Sequence, residues 1–212
     1  MTNNYTRMCE AVVAGRHLEA RELTRRALDG GDPPARILDE GLLAGMAEVG
    51  RLFREEEYYV PEVLLSARAM RMAMEVLRPA LAESGVEPRG RVALGTVKGD
   101  LHDIGKDLVG MMLEGGGFRV HDLGKDVAPA DFVAAVERDG VQVLGLSALL
   151  TTTMVEMEST ITALREKGLR ERVKVIVGGA PVTPEYAEKI GADGYGRDAA
   201  TAVDLVNRMI RA

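Results

Sequence analysis

The 212 residues predict an α/β protein in two parts, a four-helix bundle over 1–85 and a five-stranded parallel sheet covered by helices over 91–212. Three observations predict it. Apolar residues recur at helical spacing through the first part, with no strand-like alternation. After residue 90, short apolar runs alternate with helical patterns five times, the mark of βα units on a parallel sheet. Between the two, Glu83-Ser84-Gly85-Val86-Glu87-Pro88-Arg89-Gly90 is polar and rich in glycine and proline, so 86–90 is expected to be a linker that lets the parts move.

In the first part, a helix over 5–14 ends near Gly15. A second, over 17–28, carries Leu18, Leu23 and Leu28 and stops at Gly30-Gly31. Asp32-Pro33-Pro34 offers an N-cap with prolines in the first turn. Ile37, Leu38, Leu42, Leu43, Met46, Val49 and Phe53 give the third helix its apolar face, and Glu55-Glu56-Glu57 breaks it. Pro61 opens a long fourth helix with Val63, Leu64, Ala67, Met70, Met74, Leu77 and Leu81 turned inward. Four helices with short connections make a small bundle. Phe53 and Tyr58-Tyr59-Val60 gather at one end of it, either closing the bundle's own core or covering something held by the next part. His17 reads as a solvated surface residue.

In the second part, strands are expected over 92–97, 118–123, 141–147, 173–177 and 194–196. Helices follow them over 104–113, 129–138, 153–166, 184–190 and 199–210. A ligand of such a sheet lies beyond the carboxyl ends of the strands. Three loops there carry chemistry. The first is Lys98-Gly99-Asp100-Leu101-His102-Asp103-Ile104-Gly105, one imidazole flanked by two carboxylates. A metal-bound histidine usually donates its second nitrogen to a carboxylate. His102 can thus present a ring nitrogen to a metal or cofactor, oriented by Asp100 or Asp103; a loop histidine without a ligand fits the same residues. The second loop is the hydroxyl-rich run from Ser147 to Thr153, and the third is Gly178-Gly179-Ala180, which a ligand could approach closely. Helix capping and a Gly-Gly turn account for each of these separately, but not for their sharing one edge.

Composition excludes several classes. Each half of the chain carries a charge of −3, with no basic stripe, so no nucleic-acid partner is expected. Cys9 is the sole cysteine, which rules out an internal disulfide or a CxxC site. No apolar run approaches the roughly 18 residues of a membrane span. The amino terminus lacks a signal-peptide pattern, so a cytoplasmic location is expected. With aromatics at 4% and no tryptophan, leucine, valine, alanine and the 11 methionines must fill the core.

The three loops together carry a resemblance. Asp100-x-His102-x-x-Gly105, then 41 residues, then Ser147-x-Leu149, then 28 residues, then Gly178-Gly179 resembles the cobalamin-binding signature. That signature occurs in methionine synthase, in some B12-dependent mutases and in the corrinoid proteins of methyltransferase systems. Gly45-Met46, Val49-Gly50-x-x-Phe53 and Tyr59-Val60-Pro61 resemble the helical cap that precedes the B12-binding domain in the methyl-transferring members. Nearly the whole chain is covered. Its length is similar to that of the small corrinoid proteins serving methanol, methylamine or aryl methyl ether substrates.

The resemblance implies a flavodoxin- or Rossmann-like B12-binding domain and a cobalamin cofactor, cycling between methylcobalamin and the Co(I) corrinoid. It implies a base-off, histidine-on cofactor with His102 as the lower cobalt ligand, Asp100 as its partner and Thr153, where serine is common, completing a relay. Ser147, Leu149, Gly178, Gly179 and Ala199 match the channel for the displaced nucleotide tail, and Thr151 matches a position contacting the corrin or the tail. Gly99 and Asp103 are placed against the corrin face or its side chains, Ile104 is counted among the cofactor contacts, and Gly105 lets the loop turn into the helix beside the nucleotide channel. Phe53 and Val60 match residues covering the upper face, Val60 standing where leucine is frequent. His121 lies outside the motifs and reads as structural. The implied role is a methyl carrier, the carrier subunit of a methyltransferase system rather than a complete enzyme. Its implied partners are a substrate:corrinoid methyltransferase, a methylcorrinoid:acceptor methyltransferase using tetrahydrofolate or coenzyme M, and a reductive activase. The alternatives are a B12-binding sensor, for which the chain shows no DNA-binding segment, a mutase small subunit, which generally lacks the helical cap, and a flavodoxin-like domain with another ligand.

Overall fold

The computed structural model describes residues 4–211, which divide into two compact units. One runs to Pro88 and includes Gly115–Gly117; the other comprises Arg89–Glu114 and Phe118 onward.

The first unit is helical: α1 (Asn4–Val13), α2 (His17–Asp29), α3 (Pro34–Arg36), a π-helical stretch (Ile37–Leu43), α4 (Ala44–Arg54) and α5 (Val60–Glu83). The third helix of the sequence reading is therefore three segments with a π turn between them. Its glycines explain how closely α1 approaches. A Cβ on Gly41 would lie 2.9 Å from Met8 Sδ, and one on Gly45 would lie 2.8 Å from Val12 Cβ. Met8, Val12, Ile37, Leu42, Ala73 and Leu77 are fully buried in the resulting core. The last carbonyl of α1, on Val13, accepts hydrogen bonds from Ser66 Oγ at 3.0 Å and Tyr58 Oη at 3.2 Å, so this helix end is satisfied by side chains. The fourth helix begins one residue earlier than expected, at Val60, because the Glu62 carboxylate accepts the Tyr59 N–H at 3.0 Å and caps it. Leu64, expected inward, is exposed. It follows Val63, and one residue along a helix rotates a side chain well off the buried face.

The second unit is a parallel sheet in the order β2-β1-β3-β4-β5. Its elements are β1 (Arg91–Thr96), α6 (Ile104–Gly115), β2 (Arg119–Asp122), α7 (Pro129–Asp139), β3 (Val143–Ser147), α8 (Val155–Glu166), β4 (Lys174–Gly178), α9 (Pro184–Ile190), β5 (Gly194–Gly196) and α10 (Ala199–Arg211). Alternate strand residues feed two cores. Ala93, Leu144, Leu146 and Val175 pack with Phe132, Met157 and Ile161. Val92, Leu94, Val143 and Ile176 pack with Leu113, Phe118 and Val206. The strand order reverses direction between β1 and β3, and open α/β sheets bind ligands outside the strand ends at such a point. The pairing aligns one row across that edge, Thr96 with Ser147, Ser147 with Gly178, and Gly178 with Gly196. The loops after β1, β3 and β4 thus leave the sheet at one level. Among the described residues no helix is long and apolar enough to cross a membrane.

Candidate functional site

The loop after β1 is organised around Asp100, whose side chain is fully buried. Five donors converge on its carboxylate. Oδ1 takes the His102 N–H at 3.1 Å and lies 2.7 Å from His102 Nδ1. Oδ2 accepts the Leu149 N–H at 2.8 Å, the Leu150 N–H at 3.1 Å and Thr153 Oγ1 at 2.8 Å. Burial opposes a charge here, but the bonds from the His102 ring, the Leu149 and His102 amides and Thr153 outweigh it. They hold the Asp100 carboxyl well below the usual carboxylate range. Asp100 is therefore a fixed anion. Nδ1 is engaged by that anion, and the ring is 52% exposed, so Nε2 is the nitrogen left to face a ligand.

The backbone of the loop is pinned as well. Buried Thr96 donates from Oγ1 to the His102 carbonyl at 2.8 Å, and the Val97 N–H meets the Ser147 carbonyl at 3.0 Å. Gly99 makes the turn, at φ +80°, a conformation that favours glycine. Gly105 does not; it lies inside α6, and a Cβ on it would meet nothing within 4 Å. The turn forms earlier in the loop than the sequence reading had it, because helical hydrogen bonding is under way by Asp107, whose N–H reaches the Asp103 carbonyl at 2.7 Å.

Asp103 turns away from the imidazole and pairs with Lys125 at 3.1 Å. The adjacent ammonium holds its carboxyl below the ordinary range. Ile104, the first residue of α6, is 79% exposed, and Leu101 is 63% exposed. Leu149 and Leu150 are also exposed, so the two loops that meet at Asp100 both display apolar side chains. Ser147 is half-buried at the end of β3, and Thr151 is exposed in the following turn. Ala199 is buried at the start of α10, below the Asp198 carboxylate that accepts the Thr201 N–H at 2.7 Å. Gly178 and Gly179 meet backbone on both sides. A Cβ on Gly178 would lie 2.8 Å from the Gly196 carbonyl oxygen, and one on Gly179, at φ +127°, would collide with the Ala148 carbonyl. Both glycines are thus required to close the sheet edge on itself. Phe53, half-buried, and Val60, exposed, belong to the helical unit. His121 lies on β2 beside Ala93, and its buried Nε2 has no partner among the described residues.

Several groups escape a sequence reading. Lys106 is buried in α6, with Nζ 2.5 Å from Asp107 Oδ1 and 2.7 Å from both oxygens of Asp122. Burial lowers the affinity of this amine for a proton, and the two carboxylates more than offset that, so its pKa is raised. Lys106 thus ties the first turn of α6 to the end of β2. Tyr186 Oη donates to the Met154 carbonyl at 2.7 Å and steadies the far end of the hydroxyl loop. The signal that could have revealed Asp122 was its place two residues before Gly124 at the end of a strand, where its carboxylate accepts the Gly124 N–H.

Comparison with known proteins gives a consistent result. Two family models, each described as a B12 binding domain, match residues 90–204 and 5–78. A corrinoid protein of Desulfitobacterium hafniense is 39% identical over 95% of this chain and 94% of its own length. A trimethylamine corrinoid protein of Methanosarcina barkeri is 45% identical over 88% of this chain and 87% of its own. The methanol:cobalamin methyltransferase complex MtaBC of Methanosarcina barkeri contains a chain that superposes with a TM-score of 0.87 at 30% identity. The match covers 99% of this chain and 80% of that one. A cobalamin-binding protein of Desulfitobacterium hafniense superposes with a TM-score of 0.82 at 31% identity, covering 99% of both chains.

Proposed function

The chain belongs to the family of B12-binding corrinoid proteins, and on that premise we propose that it is the methyl carrier of a corrinoid-dependent methyltransferase system. One observation carries the residue roles: an Asp100 carboxylate saturated by five donors and seated against His102 Nδ1. The donor set fits a corrinoid. A single imidazole nitrogen suits a metal that brings its own equatorial ring, and exposed Leu101, Ile104, Leu149 and Leu150 suit the flat apolar face of that ring.

In this reading His102 would hold the cobalt through Nε2, in the base-off, histidine-on mode. Asp100 fixes the tautomer by accepting from Nδ1, and Thr153 holds Asp100 in place. The donors around Asp100 keep that carboxylate charged, so it remains an acceptor for Nδ1. Gly99, Asp103, Ile104 and Gly105 flank the corrin, and the open space at Gly105 permits close approach. Ser147, Leu149, Thr151, Gly178, Gly179 and Ala199 line the path of the nucleotide tail. Phe53 and Val60 of the helical unit match the cap motif and would serve to shield a bound cofactor from water. When bound, the corrinoid supplies a cobalt that takes up a methyl group from one partner and yields it to another.

The relatives named for trimethylamine and dimethylamine support a methylamine or methanol donor class, and the likeness to a chain of a methyltransferase complex supports a methyltransferase partner. The acceptor methyltransferase would use tetrahydrofolate or coenzyme M, and a reductive activase would restore the reduced cobalt. The test is reconstitution with hydroxocobalamin. The wild-type chain is expected to give a base-off, histidine-ligated absorbance spectrum that changes in His102→Ala. An unchanged axial signature in that variant would overturn the ligand assignment. Failure of the methyl-loaded chain to donate to any folate or thiol methyltransferase would overturn the carrier role.

A further inference from the structure

Asp126 lies at φ +55°, in the left-handed region that residues other than glycine seldom occupy. Such conformations persist where the surroundings over-determine them, and they concentrate at functional sites. The surroundings here are specific. Asp126 Oδ1 accepts the Gly99 N–H at 2.7 Å, and the Asp126 N–H donates to the Asp100 carbonyl at 3.0 Å. One residue thus grips two consecutive residues of the histidine loop, Gly99 and Asp100, by a reciprocal pair of bonds.

The rest of its segment acts in the same direction. The Gly124 carbonyl accepts the Thr96 N–H at 3.0 Å, and the Val127 N–H donates to the Thr96 carbonyl at 3.0 Å. Val97 bridges to Val127, and Asp122 pairs with Lys106. The segment from Asp122 to Val127 therefore runs along the backbone of residues 96–106. The β3–α8 loop grips the Asp100 side chain, whereas this segment grips the main chain from which Asp100 and His102 project.

We propose that Asp126 is a positioning residue for the His102 ligand, setting the peptide at Gly99-Asp100 so that the imidazole is held in one orientation. The inference rests on His102 being the ligand, but one arm of its test does not. The decisive substitution is Asp126→Gly. Glycine is at ease at this φ, and the backbone bond to the Asp100 carbonyl remains, so only the carboxylate acceptor is lost. Asp126→Asn keeps an acceptor oxygen at the same place. Lys125→Ala, which leaves both Asp126 bonds intact, serves as the control.

In the full chain, exchange of the Gly99 amide with solvent is expected to rise about tenfold or more in Asp126→Gly, and to stay within about threefold in Asp126→Asn and Lys125→Ala. After loading with hydroxocobalamin, the histidine-ligated spectrum is expected to weaken in Asp126→Gly and to be retained in the other two. Equal Gly99 exchange in wild type and Asp126→Gly would overturn the proposal, whatever ligates the cobalt. Faster exchange with an unaltered spectrum would overturn the positioning role, provided His102→Ala alters that spectrum. If His102→Ala leaves the spectrum unaltered, the ligand assignment fails, and the positioning role falls with it.

Discussion

The helical unit and the carboxyl edge of the sheet are held by different forces. In the helical unit, Met8, Val12, Ile37, Leu42 and Leu77 fill a dry interior where shape and volume decide the fit. At the sheet edge, Asp100 is equally buried, yet every contact that matters to it is a directed hydrogen bond. The first kind of packing tolerates exchange of one apolar side chain for another of similar volume. The second tolerates no exchange that turns an acceptor into a donor, even at constant shape.

Four substitutions test that contrast, in falling order of effect. Leu42→Ala removes fully buried methyl groups and should cost about 3 kcal/mol, read from the slowest-exchanging amides of the helical unit. Asp100→Asn preserves shape but sets an amide group among five donors; it should cost about 2 kcal/mol in the sheet unit. Its pH dependence sharpens the point. The folded Asp100 carboxyl sits below its unfolded value, so its contribution is complete above about pH 4 and fades as the pH falls. Urea midpoints of the wild type should therefore drop more steeply below about pH 4 than those of Asp100→Asn. Leu42→Met, close in volume, should cost about 1 kcal/mol. If Asp100→Asn proves no worse than Leu42→Met, the contrast is lost. Glu22→Ala breaks an exposed pair with Arg26 and should cost about 0.3 kcal/mol, near the limit of a denaturation curve.

What could be read from the sequence follows from the same division. Apolar periodicity marks the helices and strands because burial imposes it, and parallel βα units carry every strand's carboxyl end to one edge. The loops at Asp100, Ser147 and Gly178 could therefore be placed together before any coordinates. Residues whose role rests on direction were harder. Gly105 passed for a turn residue because a glycine at the start of a helix looks like one, whereas the positive φ belongs to Gly99. The π stretch over Ile37–Leu43 was hidden, because the apolar pairs Ile37-Leu38 and Leu42-Leu43 fit the stripe of a regular helix as well as that of a widened one. Lys106 read as an ordinary helix residue because its partner Asp122 is 16 positions away. Asp126 gave no signal, because neither its backbone angle nor its bond to Gly99 leaves a local pattern.

Three of the five donors on Asp100 are main-chain amides, those of His102, Leu149 and Leu150. An amide of this kind is supplied by every amino acid except proline. The grip on Asp100 is therefore indifferent to which side chains positions 149 and 150 display. Replacing either side chain would leave the bonds to Asp100 in place, whatever those side chains contribute to a ligand. If the proposed function holds, a randomised library at 149 and 150 would vary the surface offered to the corrinoid while leaving the Asp100–His102 pair undisturbed.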